Sequence, residues 1–188
     1  MNLAEHDWQR WASSLGVGCL RPLAELTTFR IGGPAGLVCR VENAEQAQRF
    51  LDFAGEQELP WTCLGGGSNI LAADAGYAGM VLLMRCHDLS VRGDAVHAGA
   101  GWDFDDLVAE TLRQGLTGLE FASGIPGTVG GALVGNAGCY GVEIGSLLVE
   151  ATVLRADGRL EVLGPEDFAF DYRSSALKGR NEMVLDLV

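Results

Sequence analysis

Short apolar runs and polar breaks alternate along the chain at two periods, and these mark out its elements. Trp8, Trp11, Ala12 and Leu15 recur at helical spacing and predict a short amphipathic helix over residues 4–15, whose tryptophans pack on another surface rather than stack on bases. The same period returns in Ala47, Phe50, Leu51 and Ala54, behind the capping box Asn43-Ala-Glu-Gln46, with Leu59-Pro60 to end that helix. Trp61–Leu64 and Met80–Met84 read as strands, and Leu89 to Ala98 as a hairpin around Gly93-Asp94.

Asp103-Phe-Asp-Asp106 opens a further helix, continued by Leu107, Val108, Thr111 and Leu112 and stopped at Gly115. Its three acids, Asp103, Asp105 and Asp106, fit the positive end of that helix better than a metal or acid–base cluster. Leu147–Ala156 and Arg159–Leu163 predict a second hairpin across Asp157-Gly158, and Pro165–Phe170 a single helical turn. Met183–Val188 alternates as a strand that reaches the chain end with no turn or cap, which suggests a chain cut short. Helices and short strands mix without βαβ regularity, so the expected class is α+β in two lobes, with a boundary near residues 84–90.

Two bare-backbone stretches interrupt this pattern. Leu64-Gly-Gly-Gly-Ser-Asn-Ile-Leu71 follows a predicted strand, and Gly124 to Gly141 holds seven glycines in eighteen residues. Both are flanked by Ile, Leu and Val and lack the Ser, Gln and Pro bias of a linker. Glycine lets main-chain N–H groups approach a ligand with no Cβ between, so the two loops are expected to serve one large anionic cofactor, a dinucleotide. Neither is a P-loop or a G-x-G-x-x-G fingerprint, which disfavours those folds.

Composition narrows the classes. A chain of 188 residues with 48% hydrophobic and 20% charged residues is a packed globular protein. Its formal net charge of −12 argues against nucleic acid and against an anionic membrane surface. The odd count of five cysteines, widely spaced in apolar runs, fits reduced thiols. The three histidines, His6, His87 and His97, show no metal-ligand spacing, and no metal is expected. Met1 to Asp7 has neither the basic region nor the apolar core of a signal peptide, and no apolar run reaches a membrane span, so a cytoplasmic protein is expected.

Four motifs in one order carry a resemblance: Thr27-Thr-Phe-Arg-Ile-Gly-Gly-Pro-Ala35, Leu64 to Leu71, Gly124-Ile-Pro-Gly-Thr-Val-Gly-Gly131 with Asn136-Ala-Gly-Cys-Tyr-Gly141, and Phe170-Asp-Tyr-Arg-Ser-Ser175. Together they resemble the UDP-N-acetylenolpyruvoylglucosamine reductase family, flavoproteins of peptidoglycan precursor synthesis. The resemblance implies a two-lobed FAD-binding domain of the vanillyl-alcohol oxidase (PCMH) type over residues 21–188, with lobes about 21–86 and 87–188 behind an N-terminal helical segment, residues 1–20. It implies non-covalent FAD, with NADPH as hydride donor and an enolpyruvyl sugar nucleotide as substrate. Gly65, Gly66, Gly67, Ser68 and Asn69 would wrap the FAD pyrophosphate as an anion nest. Gly124, Ile125, Pro126, Gly127, Gly131, Asn136 and Gly138 would lie along the cofactor.

Tyr140 and Tyr172 are the implied substrate-binding residues, and Arg173, which reads from the residues alone as a surface arginine, becomes the implied catalytic cation. The family's proton donor to C2 and its partnering Glu belong to a C-terminal substrate domain with no counterpart here; Ser174, Ser175, Glu182 and Cys139 receive no role. A flavin-binding module without turnover, and an FAD-dependent oxidase or dehydrogenase subunit of the same fold, are the alternatives. Oligomeric state is not legible.

Overall fold

Two strands of the N-terminal half are almost uniformly apolar, which is the pattern of strands covered on both faces. In the computed structural model, which describes residues 7–188, they are β2 (Pro34–Val41) and β4 (Tyr77–Met84), paired in parallel at the centre of a four-stranded sheet. The chain divides into two compact units, Met1–Met84 and Arg85–Val188. The signal-peptide reading, His6 and the first residues of the expected 4–15 helix lie outside the described residues.

In the first unit, α1 (Trp8–Leu15) starts at Asp7, whose side chain accepts the Arg10 N–H, and stops at left-handed Gly16. Trp8 lies over Gly36 of β2, where a Cβ would meet the indole at 2.6 Å, and Trp11 sits edge-on between Trp8 and Phe53. The tryptophans therefore pack, as their spacing predicts. β1 (Gly18–Pro22) pairs antiparallel with β2, and β3 (Trp61–Leu64) parallel with β4, giving the order β1-β2-β4-β3. Between β2 and β3, α2 (Ala44–Glu56) buries Ala47, Phe50, Leu51 and Ala54.

Asn43 caps α2 by accepting the Gln46 N–H, but Gln46 reaches back to the N–H of Glu42, one residue before the position a capping box requires. The helix ends at Glu56, ahead of Leu59-Pro60, because Glu58 turns left-handed and the Leu59 N–H closes on the Ala54 carbonyl. Leu23, Ala35, Val38, Leu64, Val81 and Leu83 form one buried cluster of this unit.

The second unit is built on an antiparallel sheet of order β10-β9-β11-β6-β5. β5 (Leu89–Arg92) and β6 (Ala95–Gly99) form the predicted hairpin, as do β9 (Ala151–Leu154) and β10 (Leu160–Leu163), with Gly158 at φ +82° in the turn. Residues 147–150 precede β9 as irregular chain rather than strand. The last strand, β11 (Met183–Leu187), is central, between β9 and β6. α3 (Phe104–Arg113) begins at Asp103, whose carboxylate accepts the N–H groups of Asp105 and Asp106, and Gly115 at φ +73° follows its end.

One expectation is corrected. The stretch 124–141, read as continuous bare loop, contains a helix, α4 (Val129–Val134), and a small hairpin of β7 (Gly138–Cys139) with β8 (Val142–Glu143). Thr128 caps α4 with its hydroxyl oxygen, which accepts the Gly131 N–H. Gly130 sits where a Cβ would lie 2.6 Å from that of Ala100, so its glycine serves close helix packing.

Candidate functional site

In the first unit the glycine loop leaves β3 and runs beside the segment 26–33. Thr28 donates its N–H to the Gly67 carbonyl, and Gly33 donates to that of Ala73. Gly67 is buried at φ +67°; a Cβ there would be driven into the Leu26 carbonyl and within 2.9 Å of the Thr27 Cα. Its glycine is thus demanded by the neighbouring chain. Gly66 and Asn69 are exposed, and among the described residues the N–H groups of Gly66, Gly67 and Asn69 meet no protein acceptor. Phe29, Ile31, Ile70 and Leu71 stand exposed along the same two segments, Leu71 at 74%. The loop thus offers N–H donors for an anion, beside apolar side chains.

In the second unit the segment 124–131 is clamped to the start of α3. Gly124 donates its N–H to the Asp105 carboxylate at 2.8 Å, and Phe104 donates to the Gly127 carbonyl at 2.9 Å. Ile125 closes on Ala122, and Gly130 donates to Ala100. Gly127 takes φ +118°, a conformation essentially for glycine, and among the described residues the N–H groups of Gly127 and Thr128 find no protein acceptor. The N–H groups of Gly124 and Gly131 are therefore committed to the fold, and only the middle of the segment is left to a ligand.

Asn136 and Gly138 also serve the fold. Asn136 is 1% exposed at φ +44°, and its amide donates to Glu143 Oε2 at 2.7 Å and to the Asp171 carbonyl at 3.1 Å, while its oxygen accepts the Gly145 N–H. The side chain is buried and its amide is spent on protein partners. Gly138 is glycine because a Cβ would lie 2.7 Å from the Glu143 Cγ across the β7–β8 hairpin.

The residues of the fourth motif form a tight turn. Asp171 and Ser174 exchange both backbone hydrogen bonds, leaving Tyr172 and Arg173 at the tip, with Arg173 left-handed at φ +54°. Lys178 Nζ donates to the Arg173 carbonyl at 2.6 Å, and buried Ser175 donates its hydroxyl to the Val134 carbonyl of α4. Tyr172 is 79% exposed, and the Arg173 guanidinium meets no partner among the described residues. Tyr140, 90% exposed and left-handed, tips the β7–β8 hairpin. No His, Cys, Asp or Glu cluster suited to a metal occurs among the described residues. A cavity of about 160 Å³ in this unit, lined by Val96, Phe104, Leu107, Leu116, Leu148 and Leu187, contains none of these residues.

The profile of the family described as FAD binding domain matches residues 35–164, more than half of the chain. The chain belongs to the FAD-binding domain family. This FAD-binding domain is 42% identical to UDP-N-acetylenolpyruvoylglucosamine reductase 2 of Symbiobacterium thermophilum over 169 residues, 89% of the chain and 55% of that protein. It thus spans about half the length of the curated relatives it matches. The crystal structure of UDP-N-acetylenolpyruvylglucosamine reductase from Thermus caldophilus aligns with a TM-score of 0.76 at 34% identity, covering 91% of this chain and 60% of that one. A vanillyl-alcohol-oxidase-type flavoprotein of Myceliophthora thermophila shares the fold, with a TM-score of 0.64 at 18% identity over 96% of this chain and 39% of its own. The α+β class of the FAD-binding domain and its resemblance to the reductase family stand on these matches.

Reading the sequence missed the residues that hold the bare segments in place. Asp105 reads only as an acid at a helix start, and Glu143 and Lys178 as ordinary surface charges, because their partners lie 19, 7 and 5 positions away. Only Thr128, three residues before Gly131, carried a legible signal, that of an N-cap.

Proposed function

We propose that the chain is the FAD-binding part of an NADPH-dependent reductase that converts UDP-N-acetylenolpyruvoylglucosamine to UDP-N-acetylmuramate in the cytoplasm, for bacterial cell-wall synthesis. The observation that carries it is the set of N–H groups on Gly66, Gly67 and Asn69, without protein acceptors and bordered by exposed Phe29, Ile31 and Leu71. A dinucleotide presents that pairing: a doubly charged pyrophosphate for the donors and flat rings for the apolar side chains. These residues fit FAD. In the first unit, Gly65 to Asn69 would hold the pyrophosphate; in the second, taken by itself, the N–H groups of Gly127 and Thr128 are donors open to a ligand.

FAD, held by Gly65 to Asn69, would supply the two-electron chemistry, with NADPH as the source of hydride and the enolpyruvyl group as its acceptor. The chain's own contribution to that step is Arg173. Hydride arriving at C3 of the enolpyruvyl group leaves negative charge on C2 and the adjacent carboxylate. A guanidinium fixed beforehand at that carboxylate stabilises the charge by several kcal/mol, on the order of other preorganised donors, and its planar fork matches the two oxygens. The left-handed turn displays Arg173 with its carbonyl held by Lys178, and Tyr172 and Tyr140 flank the substrate in this reading. The proton for C2 comes from outside the motifs of this chain.

Purified chain should carry an oxidised-flavin absorbance band; a colourless protein that stays colourless after incubation with FAD overturns the assignment. In a protein of the relatives' full length, Arg173→Lys should slow substrate-driven flavin reoxidation at least about 100-fold, while flavin reduction by NADPH stays within about twofold. Equal slowing of both half-reactions would remove Arg173 from the role.

A further inference from the structure

The buried amide of Asn136 joins three pieces of the second unit that lie apart in sequence. One N–H of the amide goes to the carboxylate of Glu143 on β8, the other to the main-chain carbonyl of Asp171, and the amide oxygen takes the Gly145 N–H. Every hydrogen that the side chain can donate is thereby used. The bond to Asp171 falls on the first residue of the turn that presents Arg173, and Asp171 and Ser174 close that turn with their two backbone bonds. Ser175 fastens the far side of the turn to the Val134 carbonyl, the last residue of α4 and two positions before Asn136. The turn is therefore tied twice to one short stretch, residues 134–136, which continues directly from the glycine segment.

We infer that Asn136 is a positioning residue for Arg173: it fixes the Tyr172–Arg173 turn against the glycine segment through the Asp171 carbonyl. The inference rests on the proposed role of Arg173 only for its consequence in binding; the mechanical tie stands on the hydrogen bonds alone. The bond to Glu143 and the bond to Asp171 are separable by chemistry. Asn136→Asp keeps the shape and the acceptor for Gly145 but loses both donors and places a carboxylate against Glu143. Adding Glu143→Gln restores a donor to that pair, with its direction reversed, and still leaves the Asp171 carbonyl without a donor.

Hydrogen–deuterium exchange by mass spectrometry on the 188-residue chain follows the peptide spanning residues 170–178 against those containing β9 and β11. In the Asn136→Asp, Glu143→Gln double variant the turn amides should exchange at least about tenfold faster, with the strand amides at parental rates. Asn136→Gly, which tolerates the left-handed backbone and removes the whole side chain, should do the same at the turn. Parental exchange at the turn in the double variant, or acceleration of turn and strands together, overturns the inference. Arg173→Lys keeps the tie and should leave turn exchange at the parental rate. In a protein of the relatives' full length the double variant should also raise KM for the enolpyruvyl sugar nucleotide about tenfold or more, with flavin reduction by NADPH unaffected. An unchanged KM there refutes the coupling to substrate, and a protein inert toward that substrate refutes the proposed function while the exchange result still decides the tie.

Discussion

Replacing Gly67 by alanine separates two reasons for a glycine in the loop after β3. At φ +67° a residue with a Cβ costs about 1–2 kcal/mol. The added methyl also meets the Leu26 carbonyl and the Thr27 Cα, backbone atoms that move only with their chain, and relieving such overpacking costs a further 1–3 kcal/mol or so. The sum is about 2–5 kcal/mol, and at about 2–4 °C per kcal/mol for a chain of this size the melting temperature should fall by at least about 4 °C. Gly16 is the control: it has a similar φ of +69° in the same unit with nothing within 4 Å, so Gly16→Ala should cost only the backbone part, about 1–2 kcal/mol or about 2–8 °C, and should melt above Gly67→Ala. Thermal melts followed by far-ultraviolet circular dichroism on flavin-free protein measure both. If Gly67→Ala melts no lower than Gly16→Ala, the clash with residues 26–27 is not what demands this glycine.

Gly66→Val should abolish flavin binding with little change in melting temperature, because Gly66 is exposed with a positive φ absent, and retention of the flavin band by the variant would remove the loop from the cofactor site. Gly127→Val should lose flavin too, but with a lower melting temperature, since valine tolerates φ +118° poorly; normal flavin content would exclude that segment. Thiol titration under denaturing, non-reducing conditions should recover five free groups, and in native protein exposed Cys139 should react first and buried Cys39 last; three or fewer thiols would refute the reduced state. Burial pushes the Cys39 thiol up to about 12, with Arg49 opposing it weakly, so the folded state holds that proton more tightly than the unfolded chain. Its contribution is complete below the unfolded thiol range near pH 8.5 and is lost as pH climbs toward about 12, by up to about 1.4 kcal/mol per unit; the decline should flatten in Cys39→Ala, and an unchanged pH profile would contradict it.

Elements whose signal is local were legible. The burial of Ala47, Phe50, Leu51 and Ala54, the cap at Asp103, the hairpin at Gly93-Asp94 and the turn at Pro165 each follow from residues within one helical turn or one hairpin. The helix α4 was not legible, because Val-Gly-Gly-Ala-Leu-Val has poor helix propensity and is held instead by the Thr128 cap and by packing of Gly130 on Ala100. The candidate site was legible as motifs but not as a division of labour. Gly67 and Gly66 are adjacent and chemically identical, yet one is fixed by a carbonyl forty-one positions earlier and the other is open to solvent.

That division alters how the charge of the chain bears on an anionic ligand. A net charge of −12 is an unfavourable field for a pyrophosphate, and acids beside the bare segments would worsen it if they were free. Here such acids are engaged with the chain around those segments: Asp103 caps α3, Asp105 accepts the Gly124 N–H, and Glu143 accepts from the side-chain amide of Asn136. Each thereby has some of its charge met by an N–H dipole while it fixes a glycine-rich stretch in place. The N–H groups left over, on Gly66, Gly67 and Asn69 in one unit and on Gly127 and Thr128 in the other, are those held in position by neighbours already satisfied. Donors fixed in that way need no reorganisation to meet a negative group, so under the proposed function the acidity of the chain is no bar to an acidic cofactor.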